Sequence, residues 1–221
     1  ESFTIAASRD LNDRVTEVSP DIAVCPECLN DIINDPSRLD YPFVNCTNCC
    51  PRFTIIRGLP YDRDNTTMDS FMMCSKCRSE YDEILDRRFH AQPVACNNCG
   101  PHYTLDLEGK KISGISKILK KVSARLSSGK SIAIKGTGGY HLLCDALNNK
   151  AVNDLRKRKQ RDSKPFAVMF RDLEAVKEYC YTDRSVEKEL TSWRRPVVIL
   201  EQKRPLAPAV SCGLNTIGAI L

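Results

Sequence analysis

The chain has 221 residues, 42% of them hydrophobic and twelve of them cysteine, with a formal net charge of +5, a composition that fits a globular protein of two folded units. No run of eighteen apolar residues is present to cross a membrane, and Glu1-Ser2-Phe3-Thr4-Ile5 lacks the charged-then-apolar order of a secretory signal, so a cytoplasmic protein is expected. The charge is unevenly spread: residues 1–109 carry −8, residues 110–164 carry +12 and residues 165–221 carry +1, which points the middle stretch toward an anionic partner, polyphosphate or nucleic acid.

Nine of the twelve cysteines fall between Cys25 and Cys99, and this shift in composition places a domain boundary near Glu108-Gly109. Sliding the chain on itself by 49 to 50 residues lays Cys25 and Cys28 on Cys74 and Cys77, and Cys46 and Cys49 on Cys96 and Cys99. The flanks match as well, Cys49-Cys50-Pro51-Arg52-Phe53-Thr54 against Cys99-Gly100-Pro101-His102-Tyr103-Thr104. Each copy reads as a CxxC turn, a short helix (Leu29 to Asn34; Arg78 to Leu85), a proline-containing loop, a second CxxC turn and a strand (Phe53 to Ile56; Tyr103 to Leu107). Neither copy has enough apolar residues to close a core alone, so a bound metal is expected to supply the missing stability.

Beyond Gly109 helices and strands alternate. Ile115, Ile118, Leu119, Val122 and Leu126 recur at helical spacing behind Ser113 as a cap, with Gly129 as the stop. A strand Ser131 to Lys135, a glycine turn (Gly136, Gly138, Gly139) and an apolar run Tyr140 to Cys144 follow. A basic helix over 149–160, a strand Phe166 to Phe170, helices Leu173 to Tyr179 and Val186 to Thr191, and a strand Val197 to Leu200 complete an α/β region with a mixed sheet. The missing initial Met and the end inside the apolar run Gly218-Ala219-Ile220-Leu221 lead us to expect an internal piece of a longer protein.

Zinc takes four soft ligands at tetrahedral angles, and a CxxC turn brings two thiolates to one side of the metal. CxxC-x17-CxxC and CxxC-x18-CxxC each supply four. The repeat favours sequential sites, Cys25, Cys28, Cys46 and Cys49 in one and Cys74, Cys77, Cys96 and Cys99 in the other, because duplicating a closed unit copies its own metal; crossed pairing between the copies is the alternative. Four thiolates leave no position for a reacting water, so two structural Zn²⁺ ions are expected. Disulfides suit a secreted chain, of which there is no sign, and an Fe–S cluster is the other metal reading. Cys50, where the second copy has Gly100, is read as a bystander that must avoid positive φ; His90 and His102 find no vacancy at the metals.

The run Arg156-Lys157-Arg158-Lys159-Gln160-Arg161-Asp162-Ser163-Lys164-Pro165 places six cations in nine residues. The bland reading is a solvated helix face. With the glycine turn and its Lys135 and His141, the run is read instead as lining for a phosphate pocket, although Lys135-Gly136-Thr137-Gly138-Gly139 is not a Walker loop. Nucleic acid is the competing anion, disfavoured for single strands because Tyr140 is the only aromatic residue between Lys110 and Lys164.

The runs Cys25-Pro26-Glu27-Cys28-Leu29, Tyr41-Pro42-Phe43-Val44-Asn45-Cys46-Thr47-Asn48-Cys49, Leu59-Pro60-Tyr61-Asp62-Arg63 and Arg87-Arg88-Phe89-His90-Ala91-Gln92-Pro93 resemble the zinc-finger region of the HypF family of hydrogenase-maturation carbamoyltransferases. The segments from Lys135 to Ala146 and Lys164-Pro165-Phe166-Ala167-Val168-Met169 are similar to the YrdC-like domain that follows it. The resemblance implies a linker at residues 1–20 from an acylphosphatase-like domain, zinc modules at 21–58 and 59–109, and at 110–221 a partial YrdC-like twisted mixed sheet with helices, an α+β fold. It further implies carbamoyl phosphate and ATP, with Mg²⁺, as substrates, a carbamoyl-adenylate intermediate, and transfer to the C-terminal cysteine of a HypE-type acceptor protein for cyanide ligand synthesis. Both terminal catalytic domains would lie elsewhere, so the chain alone is expected to lack the overall activity. By the same resemblance Lys159, Arg161 and Lys164 hold the nucleotide phosphates, with Lys135 and His141 in the same pocket and Arg195-Pro196 on a neighbouring strand. The competing class is a zinc-ribbon module binding double-stranded RNA.

Overall fold

The computed structural model describes residues 19–50 and 52–221. The expected linker at 1–20 lies outside them except for Ser19 and Pro20. The chain divides into two compact units, the first ending at His102 and the second beginning at Tyr103.

In the first unit each CxxC opens a helix, α1 (Pro26–Asn34) and α2 (Ser75–Asp82). Both start about three residues before the positions expected from sequence, because the first cysteine of each pair is itself the residue before the helix. The Leu29 amide donates to the Cys25 carbonyl at 3.0 Å and the Arg78 amide to that of Cys74 at 2.9 Å. Ile84 and Leu85, expected at the end of α2, lie beyond it and are exposed. The expected strand Phe53 to Ile56 is instead a 3-10 turn, Phe53–Ile55, followed by a single bridge from Ile56 to Thr66. Ile55 turns inward and the Thr54 hydroxyl is tied to Asp21 at 2.9 Å, a geometry that leaves no ladder to build.

The second unit opens with the hairpin β1 (Thr104–Leu107) and β2 (Lys110–Ser113). Sequence missed β2: Ser113 ends it, and Gly114, at φ 92°, takes the cap position of α3 (Ile115–Ser127). Gly129 stops α3 at φ 75°, as expected for glycine after a helix. A second antiparallel hairpin joins β3 (Ile132–Gly136) to β4 (Gly139–Leu143) through the two-residue turn Thr137-Gly138.

Helix α4 (Asn149–Lys159) is capped by the Asn148 side chain, which accepts from the Ala151 amide. It is followed by β5 (Ala167–Met169), α5 (Leu173–Tyr179), α6 (Arg184–Leu190), β6 (Val198–Glu201), α7 (Pro208–Ser211) and β7 (Thr216–Ile220). The last strand, unrecognised in the sequence, runs through the middle of a mixed sheet of order β5-β7-β6, parallel to β5 and antiparallel to β6. Val168, Val176, Leu190, Leu200, Val210 and Ile217 form the core against it.

Candidate metal centres and the basic loop

The eight finger cysteines gather into two groups, Cys25, Cys28, Cys46 and Cys49, and Cys74, Cys77, Cys96 and Cys99, with the sulfurs of each within 4.8 Å of one another. The grouping is sequential. In the first, Cys25 to Cys46 is 3.5 Å, Cys28 to Cys49 3.8 Å and Cys46 to Cys49 3.9 Å; in the second, Cys74 to Cys96 is 3.7 Å, Cys77 to Cys99 3.6 Å and Cys96 to Cys99 3.9 Å. Sulfurs at about 2.3 Å from a tetrahedral Zn²⁺ stand about 3.8 Å apart, and a disulfide needs about 2.05 Å. The donor set therefore fits zinc and does not fit disulfides.

Without metal the sulfurs share protons. The Cys28–Cys49 bond splits that pair, drawing Cys49 down to about 4 and pushing Cys28 up. Cys77 is raised first by burial and then by its bond to Cys99. A divalent cation releases such protons and takes up the negative charge in their place.

The fingers share a seam of charged side chains that sequence reasoning passed over. Arg38 is wholly buried, and its guanidinium pairs with Asp35 at 2.8 Å and with Glu80 of the second finger. Arg87 and Arg88 of the second finger both pair with Asp31 of the first. Burial acts to raise Asp35, yet the amide and hydroxyl of Ser37, with Arg38 and Lys76, hold it well below the usual carboxylate range. A signal was available: Asp31 and Glu80 stand 49 residues apart and Arg38 and Arg88 stand 50 apart, the offsets of the cysteines.

Cys50 has φ −67°, so the feared positive φ does not arise; its thiol lies 3.6 Å from the Tyr61 hydroxyl. His90 belongs to a packed loop, its ring 4.7 Å from that of Tyr81, and His102 packs on the edge of Tyr41. Neither joins a sulfur cluster.

In the second unit the expected phosphate residues divide. Lys159 ends α4, which stops because Gln160 adopts a left-handed conformation at φ 49°. Arg161 is half-buried and committed to backbone, donating to the Lys164 carbonyl at 3.1 Å and the Pro165 carbonyl at 2.8 Å. The Lys159 and Lys164 side chains are exposed and form no ion pair among the described residues. Arg156, not singled out in the sequence, is the clamp beneath this loop. It donates to the carbonyls of Ala209, Arg161, Lys164 and Val210 at 2.6 to 3.3 Å and stacks 4.6 Å from the Phe166 ring centre.

Lys135 and His141 are not brought together. Lys135 pairs in register with Tyr140, over whose ring its ammonium sits at 5.9 Å, whereas His141 pairs with Ile134. Neighbouring residues of a strand face opposite ways, so these two candidates lie on opposite faces of the hairpin.

The family model described as HypF finger matches residues 24–56 and 73–105, and that of the Sua5, YciO and YrdC family, described as telomere recombination, matches residues 124–221. The carbamoyltransferase HypF of Rhodobacter capsulatus is 42% identical over 221 residues, all of this chain and 29% of that protein. The HypF of Rhizobium leguminosarum bv. viciae is 45% identical over 93% of this chain and 26% of its own length. Two crystal structures are similar at 47% identity. One, of full-length HypF in the phosphate- and nucleotide-bound form, has a TM-score of 0.84 over 92% of this chain and 27% of that one; the other, of T. kodakarensis HypF, has 0.87 over 95% and 28%. The chain thus spans less than a third of the relatives it matches. Among the described residues no helix is long and apolar enough to cross a membrane. With paired HypF fingers followed by a YrdC-type region, and with identity running along its whole length, this chain belongs to the HypF family.

Proposed function

We propose that this chain supplies the zinc-finger scaffold and part of the nucleotide-binding domain of a cytoplasmic carbamoyltransferase acting in [NiFe]-hydrogenase maturation. Such an enzyme takes carbamoyl phosphate and ATP, with Mg²⁺, through a carbamoyl-adenylate, and carbamoylates the C-terminal cysteine of a HypE-type acceptor. The relatives' name, carbamoyltransferase HypF, supports the reaction class, and the family's phosphate- and nucleotide-bound structure supports the substrates. Cys25, Cys28, Cys46 and Cys49 would hold one Zn²⁺, and Cys74, Cys77, Cys96 and Cys99 the other. Zinc bound there supplies folding energy and no open position for chemistry.

One observation carries the nucleotide reading. The loop after α4 is pinned from below by Arg156 through the carbonyls of Arg161 and Lys164, so the backbone that carries Lys164 is held just beyond Lys159, and neither lysine is ion-paired among the described residues. Fixed cations favour an adenylation, where charge develops at the α-phosphate, because they need no reorganisation as the reaction proceeds. Arg161 serves this reading by holding the loop through carbonyls as well as by its charge.

The test is ATP binding by calorimetry with the full-length protein. Lys159→Ala and Lys164→Ala should weaken it about tenfold or more, since charge-assisted phosphate contacts contribute about 1.5–3 kcal/mol each. Unchanged affinity removes the loop from the nucleotide site. Double-stranded RNA binding that falls steeply with salt, in the absence of ATP binding, would favour the zinc-ribbon reading instead.

A further inference from the structure

The fingers repeat more than their cysteines. Sliding by 50 residues lays Ser37-Arg38 on Arg87-Arg88, and the contacts repeat with the fingers exchanged. Arg38 Nε donates to the Ala95 carbonyl at 3.2 Å and Arg88 Nε to that of Asn45 at 3.2 Å. The Thr47 amide donates to the Arg87 carbonyl at 3.0 Å and the Asn97 amide to that of Ser37 at 3.0 Å.

The sulfurs are reached across the fingers as well, though by arginines that do not match in the repeat, Arg87 standing where the first finger has Ser37. Arg38 Nη2 donates to Cys77 Sγ of the second cluster at 3.6 Å, and Arg87 Nη1 donates to Cys28 Sγ of the first at 3.1 Å. Each receiving helix offers its cysteine and, three residues on, a carboxylate on the same face: Cys28 with Asp31, Cys77 with Glu80. That carboxylate binds the same incoming guanidinium, Arg87 at Asp31 and Arg38 at Glu80. Cys28, Cys77 and Arg38 are all 0% exposed, whereas Arg87 keeps a third of its side chain in solvent.

Four thiolates around a divalent cation carry a net charge of −2, and a buried charge of that size requires charged or hydrogen-bonding partners. For each cluster one such partner comes from the opposite finger. We infer that the two clusters are one metal-binding unit, in which each finger's arginine stabilises the metal–thiolate centre of the other so that the two centres load together. Arg38 and Arg87 are positioning residues here, and the inference rests on reading the clusters as zinc sites.

The experiment is ¹¹³Cd NMR of the whole chain with cadmium in both centres, each resonance assigned through its coupling to its own cysteine β-protons. Arg38→Met is expected to shift the resonance of the Cys74 centre more than that of the Cys25 centre, and Arg87→Met to do the reverse. A shift larger in the variant's own finger, or none in either, overturns the inference. If a methionine variant fails to fold, Arg38→Lys, which keeps a donor, is read by the same criterion. In parallel, a zinc titration followed by native mass spectrometry should pass from metal-free to two-zinc protein with little one-zinc species. A one-zinc species near the statistical share, about half at half-saturation, overturns coupled loading. A chain that takes up neither metal fails the zinc reading itself, whereas two metals without cross-effects fail only the coupling.

Discussion

The phenol oxygen of Tyr41 lies 1.9 Å from where a β-carbon on Gly100 would stand. That contact, and not a left-handed backbone, is why the second copy has glycine where the first has Cys50. At the matching place in the exchanged arrangement Tyr41 is replaced by Ala91, and Cys50 and Ala91 lie together in one buried cluster with room for a side chain.

Gly100→Ala should therefore destabilise the fingers, by about 1–3 kcal/mol as for other overpacked cores. Tyr41→Phe alone should be neutral or slightly stabilising, because the buried Tyr41 hydroxyl has no hydrogen-bond partner among the described residues. In combination the two should cost less than Gly100→Ala alone. Zinc-loaded protein melted by far-ultraviolet circular dichroism makes the comparison, and strictly additive effects would argue against the contact.

Cys74→Ser removes one of four thiolates from the second centre. Elemental analysis should find fewer than two zinc ions per chain, with a marked loss of finger stability, since a structural zinc contributes about 10–16 kcal/mol of apparent binding energy. Two zinc ions and an unchanged melting temperature would remove Cys74 from the ligand set. Cys50→Ala should keep both metals.

Arg156→Met should destabilise the second unit by about 2–4 kcal/mol, because it takes that donor from the carbonyls of Ala209 and Arg161, whereas those of Lys164 and Val210 keep Arg161 and the Phe166 amide. Trp193 is the only tryptophan in the chain and lies in this unit, so its fluorescence in urea follows the transition. Lys159→Ala, at an exposed position, should leave that transition within about 0.5 kcal/mol of the parent.

The Asp172 carboxylate caps α5 and is held below its ordinary value, first by the Ala175 amide and then by Arg171. A carboxylate depressed by folding contributes stability above its unfolded value of about 3.9 and loses it as pH falls through the folded one. The parent's advantage over Asp172→Asn, followed through Trp193, should thus be constant from pH 8 to about 5 and shrink below about pH 4. An advantage that grows on acidification would contradict the cap's charge.

Local chemistry was written plainly in the sequence. Two CxxC pairs repeated at a 49 to 50 residue offset determined that there are two four-sulfur clusters, and Gly129 marked the end of α3, because these signals act over a few neighbouring residues. Long-range partners were not legible. A short apolar run such as 216–220 carries no mark of whether it will be the middle strand between β5 and β6, since that depends on strands distant in the chain. Phe53 to Ile56 reads as a strand until the absence of a partner ladder makes it a turn. Lys135 and His141 look like neighbours until hairpin register turns them to opposite faces. Arg38, Arg87 and Arg156 look like any surface arginine, and only the packing of one finger on the other, and of α7 against α4, decided that their charges are spent on buried sulfurs, carboxylates and carbonyls. A guanidinium's reach of several ångströms lets it satisfy whatever acceptors the tertiary structure brings near, so its role is settled in space and not along the chain.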